Sequence, residues 1–271
     1  MIVAVDPDAF GGAGAVIAVH PATGFQEVIS SGGLLSEPAG LVIAPGGTIF
    51  VTDLTAFGGG GGVIAVNPTT GQQKKVSAST DLTRPMGIAM APGGELLVAY
   101  LDQNRIMRVN PANGEHQPVA ANTEFFTPSD LVVDPDGRTW VSETDIQGFV
   151  SALRHIDADG AVTDFVTNMP PGAVYFGIAL SASGQLYAIS HGSGPTSQRL
   201  VRFQPPDPTM VEVSANGLLL GTFGVAVDAG GVVYVSESQH RLVRIDPASG
   251  AQSIVSEGGS LVHPMGIVVA S

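Results

Sequence analysis

The chain contains no cysteine, so disulfide bonds, thiolate metal sites and a cysteine nucleophile are all excluded. Basic residues are scarce as well: eleven lysines and arginines stand against twenty-four aspartates and glutamates, a net charge of −13. A field of that sign repels phosphate backbones. The adjacent pair Lys74 and Lys75 reads as a solvated edge beside a turn, so nucleic acid is not an expected partner. Long apolar runs are missing too. The longest are strand-length and broken by glycine or proline, which removes a spanning helix and, with it, a membrane partner. Met1 leads straight into the strand-like Ile2-Val3-Ala4-Val5 with no signal peptide, which suits a trimmed exported domain and a cytoplasmic protein alike, soluble in either case. The run Gly58 to Gly62 lacks the Lys-Ser/Thr of a phosphate loop and no helix follows it. It reads as a flexible rim.

What is present is apolar and finely punctuated. Hydrophobic residues make up 44% of the chain against 13% charged, enough for a core, and 36 glycines and 19 prolines fall at turn positions between short runs. A period emerges when five segments are laid together: PAGLVIAPGGTIFVTD from Pro38, PMGIAMAPGGELLVAY from Pro85, PSDLVVDPDGRTWVSE from Pro128, YFGIALSASGQLYAIS from Tyr175 and TFGVAVDAGGVVYVSE from Thr222. Their turn glycines, Gly47, Gly94, Gly137, Gly184 and Gly231, are spaced by 47, 43, 47 and 47 residues. That period, with four strands per unit, is the signature of a propeller blade. The third strand, as in Arg105 to Val109, ends at a turn such as Asn110-Pro111-Ala112-Asn113-Gly114, which recurs at Asn67, Asp246 and His20.

The two ends of the chain complement each other. His263 to Ala270 is a first strand with nothing after it, and Ile2 to Asp6 is a second strand with nothing before it. Pairing them removes two exposed sheet edges. The expected fold is therefore all-β: one six-bladed propeller of four-stranded antiparallel blades over residues 1–271, with blades near 36–80, 81–122, 123–168, 169–218, 219–260, and 261–271 joined to 1–35. A monomer is expected. The loops before the first strand and between the second and third strands share one face, and they vary in length, which is where binding usually lives.

Two stretches, Val98-Ala99-Tyr100-Leu101-Asp102-Gln103-Asn104-Arg105-Ile106 and Val235-Ser236-Glu237-Ser238-Gln239-His240-Arg241-Leu242, resemble the NHL repeat, whose unit ends Val-x-Asp-x-x-Asn-x-Arg-Ile. The segment Asp130 to Glu143 is similar to a blade of the gluconolactonase (senescence-marker-like) family and to one of the streptogramin lyases. The lactonase resemblance implies a calcium ion on the axis, held by Glu, Asn and Asp side chains where inner strands begin. At those positions this chain has Ala39, Met86, Ser129, Phe176, Phe223 and Met265, and Asp130, one step further in, is the one carboxylate. No resident cofactor is expected, with calcium or another divalent metal left open.

The same register places Met86, Phe176, Phe223 and Met265 around the channel mouth, either as a plug or as the wall of an apolar pocket. One step outward, His263, Glu37 and Arg84 form a polar arc with Tyr175 opposite. An imidazole beside a carboxylate can act as acid or base and an arginine can hold a ligand carboxylate, whereas a solvated rim would simply pair Glu37 with Arg84. Asp53, Glu143, Glu237 and Asp6, closing the second strands, read as turn caps, and His191 and His240 lie on the loop face. The expected role is binding a small molecule or protein on that face, with Arg84, Asp130, Tyr175 and the four apolar residues in contact. The alternative is a lactonase- or lyase-like enzyme acting on a small apolar substrate, with His263 and Glu37 catalytic.

Overall fold

The computed structural model describes residues 1–78, 82–119, 125–144, 151–167, 174–192 and 198–270. Among these, the regular structure is strand apart from one helical turn at Ala9–Gly12. The composite blade contains β1 (Ile2–Asp6), β2 (Ala15–Val19) and β3 (Gln26–Ser31). The first internal blade is β4 (Pro38–Ile43), β5 (Ile49–Asp53), β6 (Gly62–Val66) and β7 (Gln73–Ser77), and the second is β8 (Pro85–Met90), β9 (Leu96–Tyr100), β10 (Arg105–Val109) and β11 (His116–Pro118). The third is β12 (Pro128–Val133), β13 (Thr139–Thr144), β14 (Ser151–Ile156) and β15 (Val162–Val166). The fourth is β16 (Val174–Leu180), β17 (Leu186–His191), β18 (Gln198–Gln204) and β19 (Asp207–Ala215). The fifth is β20 (Thr222–Val227), β21 (Val233–Glu237), β22 (Arg241–Ile245) and β23 (Gln252–Glu257), and β24 (Ile267–Val269) follows.

Each blade is an antiparallel meander, and β24 pairs with β1, giving the order β24-β1-β2-β3 in the composite blade. Ile2 lies opposite Val269 and Ala4 opposite Ile267. Main-chain bonds from Val5 N–H to Gly266 at 3.0 Å and from Ala270 N–H to Met1 at 2.8 Å extend the closure beyond the regular pairing. Six four-stranded blades in a closed ring confirm the architecture read from the repeat.

Burial explains the composition of each strand. The second strands, IVAVD, IFVTD, LLVAY and VYVSE, are buried along their whole length because each lies between two neighbouring blades. The outer strands β3, β7 and β23 keep most of their polar side chains half or wholly in solvent and bury one serine each, Ser30, Ser77 and Ser256. The core is accordingly divided among the blade junctions: Val3, Val5 and Val16 of the composite blade pack with Leu41, Val51 and Ile64 of the first. Val63 of the first blade packs with Ile88 and Val98 of the second.

A polar clasp ties the outer strands together. Gln73 Nε2 donates to Ser30 Oγ at 2.9 Å in the preceding blade, and its Oε1 accepts the Leu34 N–H at 2.6 Å. Gln26 and Gln252 make the same pair of contacts with Ser256 and Ser214 of their own preceding blades. The glycine run Gly58 to Gly62 leads into β6. Gly61 N–H bonds Ala56 O at 2.9 Å, and a Cβ on Gly61 would meet the Asp53 and Leu54 carbonyls, so the run folds into a closed turn ending in a buried strand start.

Candidate functional site

The axis is built from one position of each inner strand. Gly40, Gly87, Asp130, Gly177, Gly224 and Gly266 occupy it in turn. Glycine is required where neighbouring inner strands converge: a Cβ on Gly177 would lie 3.0 Å from the Gly224 Cα. Asp130 is the exception, and its side chain enters the channel. Alternate blades brace this ring with a hydroxyl. Thr52, Ser142 and Ser236 accept the N–H of Gly40, Asp130 and Gly224 at 2.9, 3.1 and 2.8 Å, and donate to the carbonyls of Met86, Phe176 and Met265 in the next blade.

Above the ring, Met86, Phe176, Phe223 and Met265 line a cavity of about 60 Å3 that opens to solvent and reaches Asp130. The four side chains border this cavity together with Asp130 and the glycines of the ring. Among the described residues Asp130 is the only ionisable group lining it. Its Oδ2 accepts the Ile178 N–H and its Oδ1 the Leu131 N–H, each at 2.9 Å. Burial pushes the carboxyl up to about 7, with these two backbone donors pulling the other way.

The mouth carries an aromatic arc across three blades. Phe176 lies 4.8 Å from the His191 ring and 6.3 Å from Phe223, which lies 5.3 Å from His263. His191 places Nε2 2.8 Å from the Thr222 carbonyl, and burial lowers its imidazole below the ordinary histidine range against the opposing pull of that carbonyl. His263 has a carboxylate partner that sequence did not identify: Nδ1 lies 3.1 Å from Asp8 Oδ2, while Nε2 is enclosed and unpartnered. Asp6 brings the pair together. Its Oδ2 accepts the Val262 and His263 N–H groups at 2.6 and 2.7 Å, and its Oδ1 accepts the Asp8 N–H at 3.0 Å.

The other members of the expected polar arc go elsewhere. Arg84 is exposed and pairs with Asp102 at 3.4 Å, and neither Glu37–Arg84 nor Glu37–His263 is joined by a hydrogen bond or ion pair. The Glu37 N–H is instead held on Asp53 Oδ2 at 2.9 Å. Tyr175 is fully buried, packed edge-on to Phe203 with its hydroxyl on Met210 Sδ, so it belongs to the core and not to the mouth. His240 Nδ1 bonds the Val262 carbonyl. Residues 145–150 and 193–197 of two loops on this face, and Pro170, Pro171 and Gly172, lie outside the described residues.

The donor set does not fit a calcium ion. Calcium takes six to eight oxygens, several of them anionic. The axis offers one carboxylate, and among the described residues no three His, Asp or Glu side chains converge on a point that could hold a metal.

No family model matches the chain, and no curated protein does. Solved structures do. A chain of a nidogen/laminin complex superposes with a TM-score of 0.79 at 15% identity, covering 99% of this chain and 98% of that one. A gluconolactonase of Xanthomonas campestris gives 0.67 at 15% identity over 98% and 85%. The virginiamycin B lyase of Staphylococcus aureus gives 0.66 at 15% identity over 97% and 86%. The likeness is one of fold. It places lactonase and streptogramin lyase propellers among the structural neighbours, as the sequence resemblance implied, and it includes a propeller found in a protein complex. Among the described residues no helix is long and apolar enough to cross a membrane.

Proposed function

We propose that the protein binds a small molecule at the axial mouth, with an apolar body against Met86, Phe176, Phe223 and Met265 and a narrow end directed down the channel. The observation that carries this reading is the open cavity joining those four side chains to Asp130. A concave, mainly apolar site with one placed polar group is the usual form of a ligand pocket. Among the described residues no cluster of carboxylates or histidines converges at the mouth, so the reading invokes no metal ion.

A second reading is favoured by the Asp8–His263 pair. An imidazole oriented by a carboxylate at Nδ1, with its ring 5.3 Å from Phe223 of the apolar mouth, has the arrangement of a general acid–base pair. Structural neighbours that are lactonases and lyases raise the interest of this reading without assigning a reaction. One experiment addresses both. A library of small apolar lactones, esters and amides is mixed with the protein and followed by ligand-observed NMR. Binding that Phe223→Ala weakens tenfold or more supports the pocket, and the absence of any such ligand removes it. New product resonances that disappear with His263→Ala would turn the binding protein into an enzyme.

A further inference from the structure

The geometry points to a protonated amine as the ligand of the axial site: an alkylammonium head at Asp130, carried on an apolar body that lies against Phe176 and Phe223. This inference rests on the proposed pocket and names the chemistry it selects. Asp130 is an anion donor set of one, without a lysine or arginine beside it in the cavity. Its two oxygens accept backbone N–H groups and, among the described residues, meet no opposite charge. A single half-buried carboxylate matches one positive charge carrying N–H donors, whereas a divalent ion needs further anionic oxygens, which the described residues of the axis do not supply. The cavity, about 60 Å3, takes the head group, and its open side leaves room for the rest of the ligand to extend past the mouth. The aromatic faces and methionine sulfurs above it favour a cation passing over them, and a net charge of −13 draws cations towards the molecule.

Ionisation of Asp130 should be coupled to this binding. The strands packed against β12 carry Tyr100 on β9, Glu143 on β13 and Tyr175 on β16 as their titratable groups. Each has its own partner, His116 for Tyr100, Arg154 and the Phe126 N–H for Glu143, and Met210 for Tyr175. Asp130 is then the group whose proton an arriving ammonium displaces. Since burial holds its carboxyl near 7, affinity for a permanently protonated amine should climb as pH rises through that value and then level off.

The test compares 2-phenylethylamine with 2-phenylethanol by titration calorimetry. Wild type, Asp130→Gly and Phe223→Ala are compared, the first variant restoring the residue that the other five blades already carry. The amine is expected to bind at least tenfold tighter than the alcohol at pH 8, with its affinity rising about tenfold from pH 6 to pH 8. Asp130→Gly should abolish both the preference and the pH dependence, and Phe223→Ala should weaken both probes. Equal binding of amine and alcohol, each weakened by Phe223→Ala, would overturn the amine assignment and leave the pocket standing. Displacement of the amine by micromolar calcium chloride would overturn it in favour of a metal. Failure of both probes to bind would remove the inference and count against the pocket itself.

Discussion

A carboxyl group placed where five neighbouring blades have only a hydrogen atom makes folding depend on pH in a particular direction. Asp130 ionises near 7 in the folded chain and near 4 when unfolded. Between those values the native state holds a proton that the unfolded state has released, so stability is full below about pH 4 and is lost as pH rises through 7. Replacing the acid by its neutral isostere removes that loss. Relative to wild type, Asp130→Asn should therefore gain on the order of 2–4 kcal/mol between pH 4 and pH 8. Urea unfolding of both proteins across this range would show a constant difference if the carboxyl were ordinary. At this same scale the sequence reached some residues and missed others. Register alone brought Met86, Phe176, Phe223 and Met265 together with Asp130, because the four recur at one place in the repeat and Asp130 stands at the next. It could not say where a side chain points. Tyr175 is one residue from Phe176, and strand alternation turns it to the opposite side, into the core. Arg84 has φ of 55°, a left-handed turn that aims it at Asp102, and Asp8 entered the site only because Asp6 folds its loop back to His263.

The elements that carry the loop face are secured by carboxylates at the ends of second strands. Asp53 is the fullest case. Its Oδ2 accepts the N–H groups of Ser36 and Glu37 at 2.7 and 2.9 Å, and its Oδ1 those of Thr55 and Ala56 at 3.1 and 2.8 Å. The recurring acids were legible as turn caps, but the repeat does not reveal that one carboxylate joins the loop entering β4 to the loop leaving β5. Four backbone donors lose their acceptor in Asp53→Ala, at about 1 kcal/mol or more for each that stays dry. A loss of at least about 3 kcal/mol in chemical denaturation is expected, and a loss below 1 kcal/mol would mean that water replaces the side chain freely. The strand plan itself was nearly complete from turn chemistry and period. The glutamine clasps were not read, although Gly24-Phe25-Gln26, Gly71-Gln72-Gln73 and Gly250-Ala251-Gln252 repeat in the sequence. Their partners lie in the preceding blade, and a pattern within one repeat carries no trace of a contact between two.

At the scale of the whole molecule, the composite blade decides whether there is a ring at all. Deleting the residues after Ser260 removes β24 and uncovers β1 along its inner edge, together with the apolar flanks of the fifth and first blades. The truncated chain should be insoluble or destabilised beyond the few kcal/mol of a point change. A soluble product with an unchanged melting temperature would count against the closure. The pairing of Ile2 with Val269 also has a consequence in time. β1 pairs early with β2, but its inner partner, β24, is made only after the five intervening blades. At about 5–20 residues per second, synthesis leaves β1 waiting on the order of 15–50 seconds for β24 to exist. Five blades can stack during that interval, since each is a contiguous stretch of chain, yet the ring stays open until β24 completes the composite blade. Closure across so long a span of sequence is intrinsically slow. The nascent chain thus meets its greatest hazard of aggregation just before β24 emerges, and chaperones that shield strand edges would matter most there.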